Sequence, residues 1–443
     1  MIQDEEILRN LYNNFDPFRP LPAGDPLYVD CREVRGDGDI LVELGKNIRR
    51  TNRITCQLYS GHRGAGKSTE LLRLKQYLEE QKFFVVYFAA DEQDVNPQDT
   101  QYTDILLACT RHLLEDLKDS ANPSPVLNWL KSRWVELKDL ALTEISFESL
   151  SVEGQISQFA KLTANLRAVP TLRQQIRNQV NPHTETLIEA LNQFINDAKN
   201  KLPEGRTQLA VIADNLDRIV PSIQDGGRSN HDEIFIDRSE QLQALDCHLI
   251  YTLPISMAYS SRAVDLRDIY DDMQVLPMIM VQQKSGDVYQ PGMDKVTEII
   301  EKRVRQCVPN RAVDGEIFDS KATLERLCLM SGGHVRNLLL LIQDAISRTE
   351  TLPISAKAVQ RSITEARDAY RRTVENYQWE ILASVAKTKR IRNEDDCRNL
   401  LFNRCLLEYR YFDDEGEIQC WCDVHPLIKG IQEFKEAVAK MQP

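Results

Sequence analysis

The chain lacks any long apolar run. No stretch of its 443 residues approaches the ~18 uncharged apolar positions of a bilayer-crossing helix, so no membrane span is expected. The start, Met1-Ile2-Gln3-Asp4-Glu5-Glu6, is acidic and has no apolar segment, which is not the pattern of a secretory leader. Glycine is scarce at 18 residues, about 4% against a usual share of about 7%. With abundant Leu, Glu, Gln, Arg and Ala, that scarcity favours a helix-rich protein. A regular cysteine framework is also missing. Ten cysteines are scattered along the chain and read as reduced thiols of a cytoplasmic protein. No internal repeat of about 20–50 residues appears, which argues against a solenoid or propeller. Finally, there is no excess of positive charge. Lys and Arg number 55 against 67 Asp and Glu, a formal net charge of -12. That balance disfavours a dedicated nucleic-acid coat, although a local basic patch is still compatible with it.

What the chain does have is a 42% hydrophobic content, enough for a sizeable core, and a length of about three domains at roughly 150 residues each. One motif dominates. Gly61-His62-Arg63-Gly64-Ala65-Gly66-Lys67-Ser68-Thr69 fits G-x-x-x-x-G-K-[ST]. It follows a β-prone run, Ile54–Tyr59, and precedes Leu71, Leu72, Leu74 and Leu78 near helical spacing. The context is therefore strand, glycine turn, helix. The glycines let successive N–H groups face an anion without Cβ clashes, and the following helix aims its positive end at the same point. Lys67 would reach the β- and γ-phosphates, and Ser68 would offer its hydroxyl to Mg²⁺.

A second run, Leu209–Asp214, is apolar and ends in an acid. It reads as a doubly buried parallel strand whose Asp214 acts on the metal shell or caps the next helix. Asn215 follows where many ATPases of this kind carry a glutamate base, and Asp217 is the nearest acidic substitute. Slow hydrolysis, or a nucleotide-held switch, fits better than rapid turnover. Further strands are expected at 83–90, 248–254 and 275–281, with helices at 103–117 and 234–245 between them. That alternation predicts a parallel α/β sheet with nucleotide at the carboxyl strand ends. Thr252 lies at such an end, either as a γ-phosphate sensor or as a plain strand-end residue.

The stretch 119–205 reads as a helical insertion. In it Arg173 and Arg177 share a helix face near Arg167, best read as a solvated basic face. Breaks fall at 224–230 and 285–287. Beyond them, Ser331-Gly332-Gly333-His334-Val335-Arg336 ends one helix and starts another. Arg336 is either a γ-phosphate contact or a surface residue at a helix start, and His334 reads as capping or packing. The C-terminal stretch combines two helical faces with strands over 406–411 and 418–424, the pattern of a winged helix. Cys397, Cys405, Cys420, Cys422 and His425 resemble a metal set, but the alternation of Ile418, Cys420, Cys422 and Val424 favours a buried apolar face. Lys387, Lys389, Arg390 and Arg392 could meet DNA phosphates, yet Glu394-Asp395-Asp396 open the helix that would enter the groove.

Together the phosphate loop, Asp214-Asn215-Leu216-Asp217, the Thr252-Leu253-Pro254 strand end, the Gly-Gly-His-Val-Arg segment and the terminal winged helix resemble the STAND branch of AAA+-related ATPases. The layout is close to that of archaeal-type and replication-initiator ATPases. The resemblance implies an α/β P-loop core over 51–285 with the insertion near 119–205, preceded by a lead-in over 1–50. A helical lid over 286–366 and a winged-helix domain over 367–443 follow. It also implies ATP with Mg²⁺, an adenine-side contact near Tyr28 and Val29, and Arg303 or Arg305 as candidates for a trans-acting arginine. The implied activity is a switch, itself a homo-oligomer, that regulates a protein partner or effector in trans, in bacterial defence or signalling. A DNA-associated initiator or transposition ATPase is the alternative.

Overall fold

The computed structural model describes residues 2–137, 150–224, 227–413 and 415–441. Part of the expected insertion (138–149), two residues of the first break (225–226) and one of the terminal turn (414) lie outside the described residues. The chain forms two compact units. One comprises Ile40–Ser60 and Arg73–Gln274; the other comprises Met1–Asp39, Gly61–Leu72 and Val275–Pro443.

The first unit is built on a five-stranded parallel sheet. Its strands are β1 (Cys56–Gly61), β2 (Phe83–Ala89), β3 (Gln208–Asp214), β4 (His248–Leu253) and β5 (Asp272–Leu276). Their order is β2-β3-β4-β1-β5. The β2–β3, β3–β4 and β4–β1 pairs run parallel, so these carboxyl ends share one edge. Every residue of β1 and β4 is buried, as expected of central strands covered on both faces. Helices α1 (Lys67–Glu80), α2 (Tyr102–Leu117), α3 (Val152–Ala168), α4 (Pro170–Val180) and α5 (Thr184–Lys199) join the strands. Alternate strand residues, among them Leu58, Val86, Val211 and Tyr251, form one core with Ile105, Phe159, Leu187 and Phe194. Leu74 and Leu78 of α1 are fully buried but outside that core. This is what right-handed crossovers require, since β1→β2 runs across the sheet one way and β2→β3→β4 returns the other.

Three expectations are corrected in or beside this unit. The fifth strand spans Asp272–Leu276, not 275–281. Past it, Met278 N–H donates to Glu408 O and Met280 N–H to Val34 O, so this apolar run is buried without extending the sheet. The helix expected over 234–245 is a wide turn at Glu233–Asp237 followed by a short helix, Ser239–Gln243. Arg173 and Arg177 are not solvated: they are 2% and 1% exposed. Arg173 donates to Asp99 and the Leu166 carbonyl, while Arg177 donates to Asp99 and Asp104. Burial alone would raise the Asp99 carboxyl, but hydrogen bonds from Arg177 and Arg173 hold it below the usual range. Only Arg167 of the three is exposed, and it donates to Asp91 O.

The second unit carries α6 (Gln290–Cys307), α7 (Lys321–Ser331), α8 (Val335–Ser347) and α9 (Ala356–Thr373). They are followed by α10 (Gln378–Thr388) and α11 (Asp395–Phe402). An antiparallel hairpin of β6 (Leu406–Phe412) and β7 (Ile418–Val424) completes the helix–helix–hairpin order of a winged helix. The expected buried face of β7 is only half present. Ile418 and Cys420 are exposed, whereas Trp421 to Val424 are all buried, because the tip of the hairpin projects and its base is packed on both sides. The ten cysteines are free thiols, eight of them buried. Among the described residues no helix is long and apolar enough to cross a membrane.

Candidate nucleotide site

The loop Gly61–Gly66 leaves β1 and enters α1 at Lys67. Gly61, Gly64 and Gly66 all have positive φ, at 143°, 94° and 113°. These are conformations that side chains disfavour, and they explain why the motif spaces glycines as it does. Lys67 is buried, and its Nζ donates to Gly61 O at 2.8 Å and His62 O at 3.0 Å. The first α1 bond runs from Glu70 N–H to Gly66 O, so the amides of Lys67, Ser68 and Thr69 head the helix. Thr69 Oγ1 accepts from Leu21 N–H.

The start of α8 packs directly on this loop. Gly332 and Gly333 adopt positive φ, and a Cβ on Gly333 would fall 1.8 Å from Ile279 O. The turn delivers His334 as the N-cap of α8. Its Nδ1 accepts Asn337 N–H at 3.1 Å, which leaves the proton on Nε2 to donate to Arg63 O at 2.9 Å. Arg336 N–H donates to Gly64 O at 3.2 Å. A Cβ on Gly64 would meet Arg336 Cβ and His334 Cε1, each at 2.8 Å. The Arg336 side chain runs to the N-terminal segment, where its Nε donates to Pro17 O and its guanidinium lies 5.6 Å above the Phe18 ring.

His62 is fully buried, and its Nε2 accepts Glu408 N–H from β6 at 3.1 Å. Burial first, then the positive charges of Lys67 and Arg404, pushes its pKa down to about 3. Tyr409 O–H of the same strand donates to Gly332 O. Behind α8, Asn337 lies 3.0 Å from Tyr370 Oη and 2.8 Å from His425 Nε2. His425 is therefore a buried helix cap, with Nδ1 accepting Leu427 N–H. On the lead-in side, Val29 is buried, while Tyr28 donates through its hydroxyl to Glu70 and accepts Lys302 Nζ at its carbonyl. Of the two arginines considered for a trans role, Arg303 is 5% exposed and donates to Ile299 O, so it is not presented to a partner. Arg305 pairs with Glu301.

The sheet unit places the other motif residues at its carboxyl edge. Asp214 is 1% exposed. Its Oδ1 accepts Asn215 N–H, and its Oδ2 accepts Tyr87 O–H from the neighbouring strand at 2.8 Å. Asn215 sits at φ 65°, a left-handed conformation that asparagine tolerates. Thr252 is fully buried. Its Oγ1 accepts Leu216 N–H at 2.8 Å and Asp217 N–H at 3.4 Å, which fixes the turn after Asp214. Asp217 is 5% exposed. Within this unit the structure brings Asp214, Asp217 and Thr252 together through one turn. Within the other it brings the loop, His334 and Arg336 together. Sequence reasoning missed the roles of His62, Glu408 and Tyr87. Tyr87 alone left a signal, as a polar tip inside an apolar strand.

No family model and no curated protein matches the chain. It is similar to several solved structures, among them the following three. The Aeropyrum pernix ORC1 protein in complex with DNA shares 13% identity, with 91% of this chain and 90% of that one covered at a TM-score of 0.36. The corresponding values for Cdc6p from Pyrobaculum aerophilum are 11%, 91%, 92% and 0.37. For the Aeropyrum pernix ORC2 protein, solved as ADPNP–ADP complexes, they are 10%, 90%, 90% and 0.39. At such scores the likeness decides nothing about function, and the fold rests on the sheet order and the loop.

Proposed function

We propose that the chain is an ATP-binding switch of P-loop type whose lid and C-terminal hairpin respond to the nucleotide. One observation carries this reading: the phosphate loop is hydrogen-bonded to the N-cap of α8 through His334 and to β6 through His62. Three positive-φ glycines, a buried lysine and the head of α1 fit a polyphosphate. The loop residues 61–69 would hold the phosphates, and bound Mg²⁺ would supply charge neutralisation. Ser68 is the metal-facing hydroxyl of the motif, and Asp214 is the carboxylate that its own motif assigns to the metal shell. Asn215 in place of a glutamate supports slow hydrolysis. Calorimetric titration with Mg-ATP tests the reading. Lys67→Ala should abolish binding, and an unchanged affinity in that variant removes the site.

A DNA-associated initiator-like role is the second reading, in place of regulation of a protein effector. Its support is the exposed trio Lys387, in the last turn of α10, and Arg390 and Arg392 just after it. Lys389 does not contribute, because its Nζ is held by Asp423 at 2.7 Å. Three phosphate contacts would give a salt slope of about -2.7 on the logarithmic scale. Equal DNA affinity after neutralising the trio rules this reading out.

A further inference from the structure

Arg35 is a buried cation without a counter-charge. It follows the short turn Arg32–Val34 and is 7% exposed. Its Nη2 donates to Ala65 O of the phosphate loop at 2.8 Å. Its Nη1 lies 3.9 Å from where a Cβ on Gly66 would stand, and its Nε is buried with no hydrogen-bond partner. Among the described residues no carboxylate pairs with it. The contrast with Arg177 is sharp: that arginine, also buried, meets both Asp99 and Asp104. A buried, unpaired guanidinium is costly, and it persists where something else requires it.

The loop supplies the reason. The Ala65 carbonyl and the Gly66 N–H belong to one planar trans peptide and point in opposite directions. Gly66, on the amide side of this peptide, has a positive φ of 113°, so the backbone there has no Cβ to fix the peptide's orientation. A guanidinium that holds the Ala65 carbonyl oxygen on its own side turns the Gly66 N–H to the opposite side. We propose that Arg35 is a positioning residue of the phosphate loop: it fixes the Gly66 amide for a di- or triphosphate and leaves a positive charge beside the loop for that anion to neutralise. The inference rests on the loop being a nucleotide phosphate site and adds a residue outside the motif to it.

The test compares wild type, Arg35→Met, Arg35→Lys and Lys67→Ala by titration with ADP, inorganic pyrophosphate and adenosine, alongside ligand-free thermal midpoints. Arg35→Met should weaken ADP and pyrophosphate about tenfold to a hundredfold, the scale of a charge-assisted hydrogen bond. It should leave adenosine affinity unchanged and the ligand-free midpoint at or above wild type, because an unpaired buried charge has been removed. Arg35→Lys should recover part of the loss. The inference is overturned if Arg35→Met binds both phosphates like wild type, or if its loss of affinity comes with a lowered ligand-free midpoint. If Lys67→Ala loses affinity while Arg35→Met does not, this inference alone fails. If Lys67→Ala also binds like wild type, the phosphate-site reading fails with it.

Discussion

His62 accepts a hydrogen bond from Glu408 N–H, and His334 donates one to Arg63 O while accepting another from Asn337 N–H. Both rings are therefore held neutral. Burial is the first cause of the depressed pKa in each, to about 3 for His62 and well below the usual value for His334. The unfolded rings take up protons first, near pH 6.5. Their contribution to stability is thus complete above that pH and is lost as pH falls below 6.5, toward about 3 for His62, at up to about 1.4 kcal/mol per pH unit for each ring. The thermal midpoint should drop between pH 7 and pH 5, and His62→Asn should show a shallower drop. Equal pH slopes in the two proteins would contradict the assignment. Asp99 and Asp319, both held below the usual carboxylate range, lose their contribution only as pH falls below about 4, outside the interval from pH 7 to pH 5. At this scale the sequence exposed Lys67, Ser68 and Asp214 because their motifs fix residue type and spacing. His62 occupies a variable position of the loop motif, and its partner lies 346 residues away, so no local pattern could reveal it.

The first turn of α8 and the phosphate loop approach each other through Gly64. Alanine there would place its Cβ against Arg336 Cβ and His334 Cε1 at 2.8 Å, on a backbone with φ 94°. Gly64→Ala should therefore weaken Mg-ATP binding and, in hydrogen exchange, deprotect the start of α8 together with the loop. Deprotection of the loop alone would show that the two are not coupled. In the sheet unit, α4 is anchored by Arg177 on Asp99 and Asp104. Arg177→Met leaves a fully buried Asp104 unpaired and should cost about 3–5 kcal/mol in that unit, measured by denaturant unfolding. A loss below ~1 kcal/mol would mean the pair is not a structural anchor. The elements themselves were largely legible. Glycine spacing beside an apolar run gave β1, the loop and α1, and apolar runs of strand length gave β2, β3 and β4. The fifth strand was misplaced because burial of Met278 and Ile279 arises from contacts other than the sheet. The arginine pair was misread because i,i+4 spacing shows only a shared face. The acids that cover that face come 73 residues or more earlier in the chain.

Composition excluded a membrane-spanning helix, a disulfide framework and a repeat array before any element was placed. The acidic balance also has a local counterpart: Glu394, Asp395 and Asp396 lead into and begin α11. What the sequence order conceals is the division of the molecule. Gly61–Leu72 belongs to the unit of the lid and hairpin, although both its neighbours in the chain, Ile40–Ser60 and Arg73–Gln274, belong to the sheet unit. That grouping follows from long-range bonds made by His334, Arg336, His62 and Arg35, which no window of sequence contains. It also states the central claim: nucleotide in the loop is felt by the lid and the hairpin. Hydrogen exchange with mass spectrometry tests it most directly, comparing ligand-free protein, Mg-ADP and a non-hydrolysable Mg-ATP analogue, with Lys67→Ala as control. The account predicts that protection at 61–69, 332–337 and 406–411 changes together, differs between the two nucleotides, and disappears in the control. A change confined to 61–69 would contradict it.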